Sequence, residues 1–191
     1  MEPLEPRHAD QLYEAARDPR VWRLMRYNGV ESRERFQGWM DDALDAWVTG
    51  TEYAFATVRR DDGRAVGSSR FLSMRPEDRS LEIGWTWVTP ELWGTGVNSE
   101  AKLLMMTYAF ERLGCLRVEF KTDATNDRAR AALSALPSEF EGVHRKHMVV
   151  RGGERRDSAW YSVIDDDWPQ VKAALTARVE RAAAGGLTRE A

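Results

Sequence analysis

The apolar positions near the start of the chain follow a helical spacing. Residues 10–17 have the composition of a helix that stops before Pro19. A longer helix is predicted after Ser32, a residue type that caps helix starts, and ends at Gly50. Its apolar residues recur every three or four positions, as one buried stripe requires: Phe36, Trp39, Met40, Ala43, Leu44 and Trp47. Between the two helices, Asn28-Gly29 predicts a turn.

The spacing then changes to an alternation of period two, which is typical of strands. Residues 53–60, 65–74 and 80–88 show this alternation. The segments between them are short and rich in turn-forming residues such as Asp, Gly and Pro. The sequence therefore predicts three antiparallel strands joined by tight turns.

A strand–helix–strand unit follows. Residues 97–113 have helical spacing and end at Gly114, and residues 116–122 read as the next strand. Because a helix connects them, the strands 80–88 and 116–122 can lie parallel. The rest of the chain predicts a short helix over 126–136, strands over 140–150 and 156–164, and a helix over 170–183. We expect an α/β (α+β) fold with a mixed, mostly antiparallel central sheet flanked by helices.

Composition limits the classes of function. The 191 residues fit one domain, which we expect over residues 1–168, followed by a C-terminal helix and frayed tail over 169–191. The net charge of −3 does not resemble the basic surface of a nucleic-acid binder. No apolar run approaches the roughly 18 residues of a membrane span. The single cysteine, Cys115, excludes an intrachain disulfide and fits a reducing compartment. We expect a cytoplasmic protein without nucleic-acid or membrane partners.

The connection between strand 80–88 and helix 97–113 carries candidate chemistry. Its sequence is Trp93-Gly94-Thr95-Gly96-Val97-Asn98. Glycines let a backbone approach a ligand closely, and a helix start offers unpaired N–H groups with the positive end of the helix dipole. This combination attracts phosphate groups, although a tight turn without a ligand is the alternative. The Walker and dinucleotide-binding glycine patterns are both absent.

Two segments resemble the acetyl-CoA signature of the GNAT superfamily. The first comprises Leu-Glu-Ile-Gly-Trp-Thr-Trp-Val at 81–88, then Pro90 and the loop and helix start at 93–101; the second is Lys-Thr-Asp-Ala-Thr-Asn-Asp-Arg-Ala-Arg at 121–130. The resemblance covers roughly residues 8–168 and is greatest to the branch of ribosomal-protein N-terminal acetyltransferases. It implies a GNAT fold and direct transfer of the acetyl group of acetyl-CoA to a primary amine, on a protein N-terminus or a small molecule. The alternative is a GNAT-fold module that holds acyl-CoA without turnover.

The resemblance also implies which residues bind the cofactor. In the family, a backbone N–H at the position of Val88 polarises the thioester carbonyl. Asn126 corresponds to an asparagine that bonds the pantetheine arm, unless it is a plain helix cap. Asn98 replaces a small residue, and its amide could bond a phosphate oxygen or cap the helix; Arg130 could reach a CoA phosphate or lie in solvent. The full cofactor set is Val88, Trp93, Gly94, Thr95, Gly96, Val97, Asn98, Ser99, Asn126 and Arg130.

The expected catalytic residues are Glu82 and Asn126. Glu82 lies where this branch carries a glutamate, and it could remove the amine proton directly or through a water. A structural ion pair with Arg70 is the alternative for Glu82. The family's usual tyrosine acid is replaced by Leu133, so a tyrosine acid at that position is ruled out, and Tyr161 is one substitute.

One of the two histidines of strand 140–150 is a further candidate for a catalytic role. Three residues separate His144 from His147, so we expect them on opposite faces of the strand. Joint metal ligation is disfavoured for that reason, and no metal site is expected. The sequence leaves open whether the protein is a monomer or a homodimer.

Overall fold

The computed structural model describes residues 1–26 and 32–187. The predicted turn at Asn28-Gly29 lies outside the described residues. In chain order the elements are β1 (Glu2–Pro3), α1 (Ala9–Ala16), α2 (Arg33–Val48), β2 (Tyr53–Val58), β3 (Ala65–Arg75), β4 (Ser80–Val88), α3 (Val97–Glu111), β5 (Arg117–Asp123), α4 (Asp127–Ser134), β6 (Glu139–Val150), β7 (Glu154–Ile164) and α5 (Trp168–Leu187). Every predicted helix and strand is present, with ends that differ by a few residues.

The strands form one seven-stranded sheet in the order β1-β2-β3-β4-β5-β7-β6. All neighbouring strands in it are antiparallel except β4 and β5, which are parallel. The predicted fold class is therefore confirmed. Strand β1 was not predicted, because two residues are too few to show an alternation; Glu2 lies opposite Ala56 of β2.

Strands β4 and β5 separate soon after they meet. Their pairing covers only residues 80–82 of β4 and 117–119 of β5. Further along β4, a bulge puts Trp85 at a φ of 50° between the pairs Arg70↔Gly84 and Ser68↔Trp87. The later part of β4 therefore has no partner on the β5 side, and a gap opens in the sheet towards the glycine loop.

Two cores cover the two faces of the sheet. Helices α1 and α2 cover one face, where the rings of Trp22, Trp39 and Trp87 lie 5.7–6.0 Å apart. Helices α3 and α5 cover the other, and Val171 and Leu175 of α5 are buried there. The predicted domain boundary at residue 168 stays a prediction. No helix in the described part of the chain has the length and apolar character needed to cross a membrane.

The expected separation of the two histidines is wrong. The rings of His144 and His147 lie 5.8 Å apart, and both pack against the ring of Trp160. The register of β6 against β7 shifts between His144 and Met148, where Lys146 has a φ of 52°. This irregularity turns His147 to the same side as His144, which a regular strand would not do.

Candidate functional site

A cleft of about 1560 Å³ opens where β4 and β5 separate. Residues of both strands form its floor, and α3, α4 and α5 contribute to its walls. Of the expected site residues, the wall includes Glu82, Val88, Trp93, Gly94, Gly96, Asn98, Ser99 and Asn126. Thr95, Val97 and Arg130 are not on this wall. The structure thus brings most of the expected set to one surface.

The glycine loop leaves some of its backbone amides free at the cleft, although Trp93 N donates to Pro90 O over 3.1 Å and Thr95 N to Leu92 O over 3.3 Å. Gly94 and Gly96 have φ values of 80° and 92°, a region that favours glycine, and a Cβ atom on Gly94 would meet nothing within 4 Å. Helix α3 has no side-chain cap, and its first helical bond runs from Glu100 N to Gly96 O. The N–H groups before Glu100 therefore have no acceptor within the helix. This arrangement fits an anionic group such as a diphosphate.

Asn98 supports that fit. It lies in the first turn of α3, whose N-cap is Gly96, so the helix-cap role considered for Asn98 is not the one observed. Its Oδ1 atom is buried and has no hydrogen-bond partner among the described residues. An unpaired buried amide on a cleft wall is satisfied when a ligand supplies its partner, and the amide can rotate to present either its oxygen or its N–H groups.

The side chain of Trp93, the first residue of the loop, is held by three contacts. Its Nε1 donates a hydrogen bond to the carbonyl of Val88 over 2.9 Å. The guanidinium of Arg128 lies 3.5 Å from the centre of the indole ring, and that of Arg20 lies 5.5 Å away. These cation–π contacts restrain the position of the ring. Burial lowers the pKa of Arg128, so this cation is partly desolvated at the cleft.

The backbone amide of Val88 faces the gap between the strands. Thr89 N donates to Val66 O over 2.9 Å, and Val88 lies opposite Gly67 of β3. Successive residues of a strand direct their N–H groups to opposite sides. The N–H of Val88 is therefore directed away from β3, towards the side from which β5 has separated.

The second motif forms the start of α4. Asn126 is the N-cap of α4, where its Oδ1 accepts from Ala129 N over 3.1 Å. Its Nδ2 forms no hydrogen bond with the described residues, so the side chain caps the helix and can still donate into the cleft. Arg130 is turned away from the cleft: its Nε donates to Tyr161 Oη over 3.3 Å. Tyr161 is buried in the core and does not reach the cleft wall.

Glu82 lies on the floor of the cleft with 2% of its surface exposed. Its Oε2 is 2.7 Å from Lys121 Nζ. Burial raises the pKa of Glu82, and Lys121 opposes that shift. Arg70, the partner that the alternative assigned to Glu82, pairs with Glu52 at 2.7 Å, so the ion pair of Glu82 is formed with Lys121 and not with Arg70. A buried carboxyl group with a raised pKa can exchange a proton near neutral pH.

Lys102 is a functional candidate that sequence reasoning missed. It lies on α3, one turn after Asn98, with 5% of its surface exposed on the cleft wall. Its Nζ donates to Thr86 Oγ1 over 2.8 Å, and it forms no ion pair with a described residue. Burial lowers its pKa to about 7. The sequence contained a signal for Lys102, namely a lysine on the apolar face of a predicted helix. Asn98 and Lys102 continue the face that buries Met105, Met106 and Ala109, where apolar residues are expected.

Comparisons with known proteins agree with this geometry. A family model described as an acetyltransferase (GNAT) domain matches residues 1–136. A GCN5-related N-acetyltransferase from Brucella melitensis is 30% identical and superposes with a TM-score of 0.85, over 92% of this chain and 80% of that one. RimJ of Mycobacterium smegmatis, solved in complex with CoA-disulfide, shares the fold at 20% identity and a TM-score of 0.77, over 92% and 86% of the two chains.

A sequence relative also carries the name of an N-acetyltransferase. YdaF of Bacillus subtilis (strain 168), named as a candidate ribosomal N-acetyltransferase, is 30% identical over 111 residues, which is 58% of this chain. The match spans 60% of the length of that relative. Because the family model covers well over half of the residues, the chain belongs to the GNAT acetyltransferase family, as its two motifs predicted.

Proposed function

We propose that this protein transfers an acetyl group from acetyl-CoA to a primary amine in a ternary complex. The observation that carries the proposal is the uncapped start of α3 beside Gly94 and Gly96, at the end of a cleft that also contains Glu82 and Lys102. The loop amides, Asn98 and Ser99 would hold the diphosphate. Asn126 and the backbone of the separated β4 would hold the pantetheine arm. We propose that the reaction takes place in the cytoplasm, because an unpaired cysteine such as the buried Cys115 is typical of a reducing compartment.

The bound cofactor would supply an activated thioester, which an amine attacks to form an amide while the carbon–sulfur bond breaks. The N–H of Val88 polarises the carbonyl. Glu82 accepts the proton that the amine nitrogen loses. Lys102, as an ammonium group, gives a proton to the departing sulfur. A proton then returns from Glu82 to Lys102 through solvent, which restores both groups.

Two properties of Lys102 support its role. It approaches the floor of the cleft from α3, the helix whose start would hold the diphosphate, so it lies on the cofactor's side. A lysine with a pKa of about 7 also loses its proton far more readily than an ordinary lysine. The residue at the family's tyrosine position, Leu133, has no proton to give. Lys102 therefore takes the place of that acid.

Thiol release tests the proposal directly. The protein is mixed with acetyl-CoA and a panel of small amines, amino acids and short peptides with free N-termini, and free CoA is measured with a thiol reagent. We expect amine-dependent thiol release and an acetylated product of the matching mass. Tight acetyl-CoA binding without thiol release from any acceptor would instead favour the non-catalytic acyl-CoA-binding module.

A further inference from the structure

Arg156 is a buried cation without a hydrogen-bond or ion-pair partner among the described residues. It lies on β7 and on the wall of the cleft, with 9% of its surface exposed. Its Nε is buried and has no hydrogen-bond partner, and no described residue forms an ion pair with it. Burying a guanidinium group away from water costs free energy when no hydrogen-bond or ion-pair partner replaces the lost water. Its position is therefore explained best by an anionic group that enters the cleft from outside the chain.

The neighbouring carboxylates are already engaged. Asp123 Oδ1 accepts from Thr125 N over 2.9 Å and from Thr125 Oγ1 over 2.7 Å. Glu82 pairs with Lys121 at 2.7 Å. Both carboxylates are near enough to favour the charged form of Arg156, but burial outweighs them and lowers its pKa. Neither group supplies the hydrogen bonds that the guanidinium lacks.

More cations surround this end of the cleft. Arg23 and Arg26 line the same wall, and Arg151 lines an adjoining pocket of about 470 Å³ together with Arg26 and Trp85. Arg26 and Arg151 both act on Arg156 as like charges. Arg151 pairs with Glu154 at 3.0 Å, and Asp42 also lines the adjoining pocket. Several basic side chains therefore lie near Arg156, although the net charge of the whole chain is −3.

We infer that the acceptor is a small amine that also carries a carboxylate, and that Arg156 binds this carboxylate. The inference rests on the proposed acetyl transfer. The planar guanidinium matches a carboxylate with two parallel hydrogen bonds. Arg156 and Glu82 share one cleft and interact electrostatically, so the carboxylate and the amine of one short molecule can reach both. The N-terminus of a protein presents a neutral peptide group at the corresponding position.

Matched acceptors test the inference. The acceptors are L-phenylalanine, L-phenylalaninamide and phenethylamine, which have the same side chain and amine but carry a carboxylate, an amide or neither. The same three compounds can be compared for other amino-acid side chains. Each kcat/KM is calculated from the concentration of the unprotonated amine. We expect kcat/KM of the wild type to be at least tenfold higher for the amino acids than for their amides. Arg156→Gln should remove this preference. Arg156→Lys should keep part of it, because lysine retains the positive charge but cannot donate two parallel hydrogen bonds to a carboxylate.

Arg155→Gln is the matched control. Arg155 is the neighbour of Arg156 on β7 and is exposed, so its variant should keep the wild-type preference. The acetyl-CoA affinity should be the same in all three variants, and none of them should melt below the wild type, because Arg156→Gln removes a buried charge. An Arg156→Gln protein that still prefers amino acids, or a wild type that prefers amides or peptide N-termini, would overturn the inference.

A binding experiment separates this inference from the proposed function. L-phenylalanine and its amide are titrated calorimetrically into the complex of the protein with CoA. Tighter binding of the acid, lost in Arg156→Gln, supports the carboxylate site even if no turnover is seen. Equal binding of acid and amide overturns it. Failure of every amine to release thiol would refute only the acetyl transfer.

Discussion

The two ends of the cleft hold charge in different ways. At the loop end, the groups that would meet an anion are backbone amides, fixed by Gly94, Gly96 and the start of α3. At the other end, the charges belong to side chains, above all Arg156. The fixed amides of the loop end suit a ligand that is the same in every turnover. The side chains of the other end, which we call the acceptor end, can select among acceptors. We therefore expect the loop end to be sensitive to backbone changes and the acceptor end to side-chain changes.

The largest effect is expected between the two ends, where the chemistry takes place. Lys102→Met removes the proposed acid but keeps an apolar side chain of similar length in a buried position. General acid catalysis contributes at least about 100-fold, so kcat should fall by about that factor with little change in the affinity for acetyl-CoA. Steady-state kinetics and calorimetry measure the two quantities.

Lys172→Met is the control for the loss of a lysine. Lys172 pairs with Glu111 on the surface at 2.7 Å, and its loss should leave kcat unchanged. A Lys102→Met enzyme with wild-type kcat would remove Lys102 from the mechanism and leave the departing thiolate without a protein acid.

The pH profile should be bell-shaped and narrow. Glu82 must be deprotonated to act as a base, and burial raises its pKa, so the acidic limb should lie above that of an ordinary glutamate. Lys102 must be protonated to act as an acid, so the rate should fall above its pKa of about 7, tenfold for each further pH unit. The measurement is kcat/KM against pH for the wild type and Lys102→Met. If the variant keeps the basic limb, another group causes it.

A smaller effect is expected from the side chains that frame the loop. Arg128→Gln removes the guanidinium 3.5 Å from the Trp93 ring. A cation–π contact contributes about 0.5–2 kcal/mol, so the affinity for acetyl-CoA should weaken by about 2-fold to 30-fold. Arg130→Gln should change it less, because Arg130 is bonded to Tyr161 and lies off the cleft wall. A larger loss in Arg130→Gln would reverse these assignments.

The loop end could be predicted from the sequence because it is local. A strand, two glycines and a helix start are contiguous between residues 80 and 101, and their order alone predicts free amides at a helix start. The order of helices and strands was also readable, since each has its own spacing of apolar residues. Strand β1 was too short to show such a spacing.

The acceptor end could not be predicted because it is assembled from distant segments. Arg23, Arg26 and Arg156 come together only through the tertiary fold, and none of them belongs to a motif. The partner of Glu82 was missed for the same reason: Lys121 approaches from β5, which pairs with β4 only after the α3 crossover. The position of His147 depends on an irregular residue of β6, which spacing rules do not reveal.

The central claim is that the backbone around Gly94 binds the diphosphate of acetyl-CoA, and two matched glycine variants test it. Gly94→Ala and Gly63→Ala both place a Cβ atom in open space at a positive φ, 80° and 69°, so their backbone strain is alike. Gly63 lies in the hairpin turn between β2 and β3, far from the loop in sequence. Gly96 is unsuitable for this comparison, since a Cβ atom there would lie 2.5 Å from Ala182 Cβ.

The measurement is the dissociation constant of acetyl-CoA by calorimetric titration of the two variants and the wild type. We predict that Gly94→Ala weakens binding by about tenfold or more, equivalent to about 1.4 kcal/mol, while Gly63→Ala stays within about twofold of the wild type. Equal affinities in the two variants, with both proteins folded, would contradict the claim.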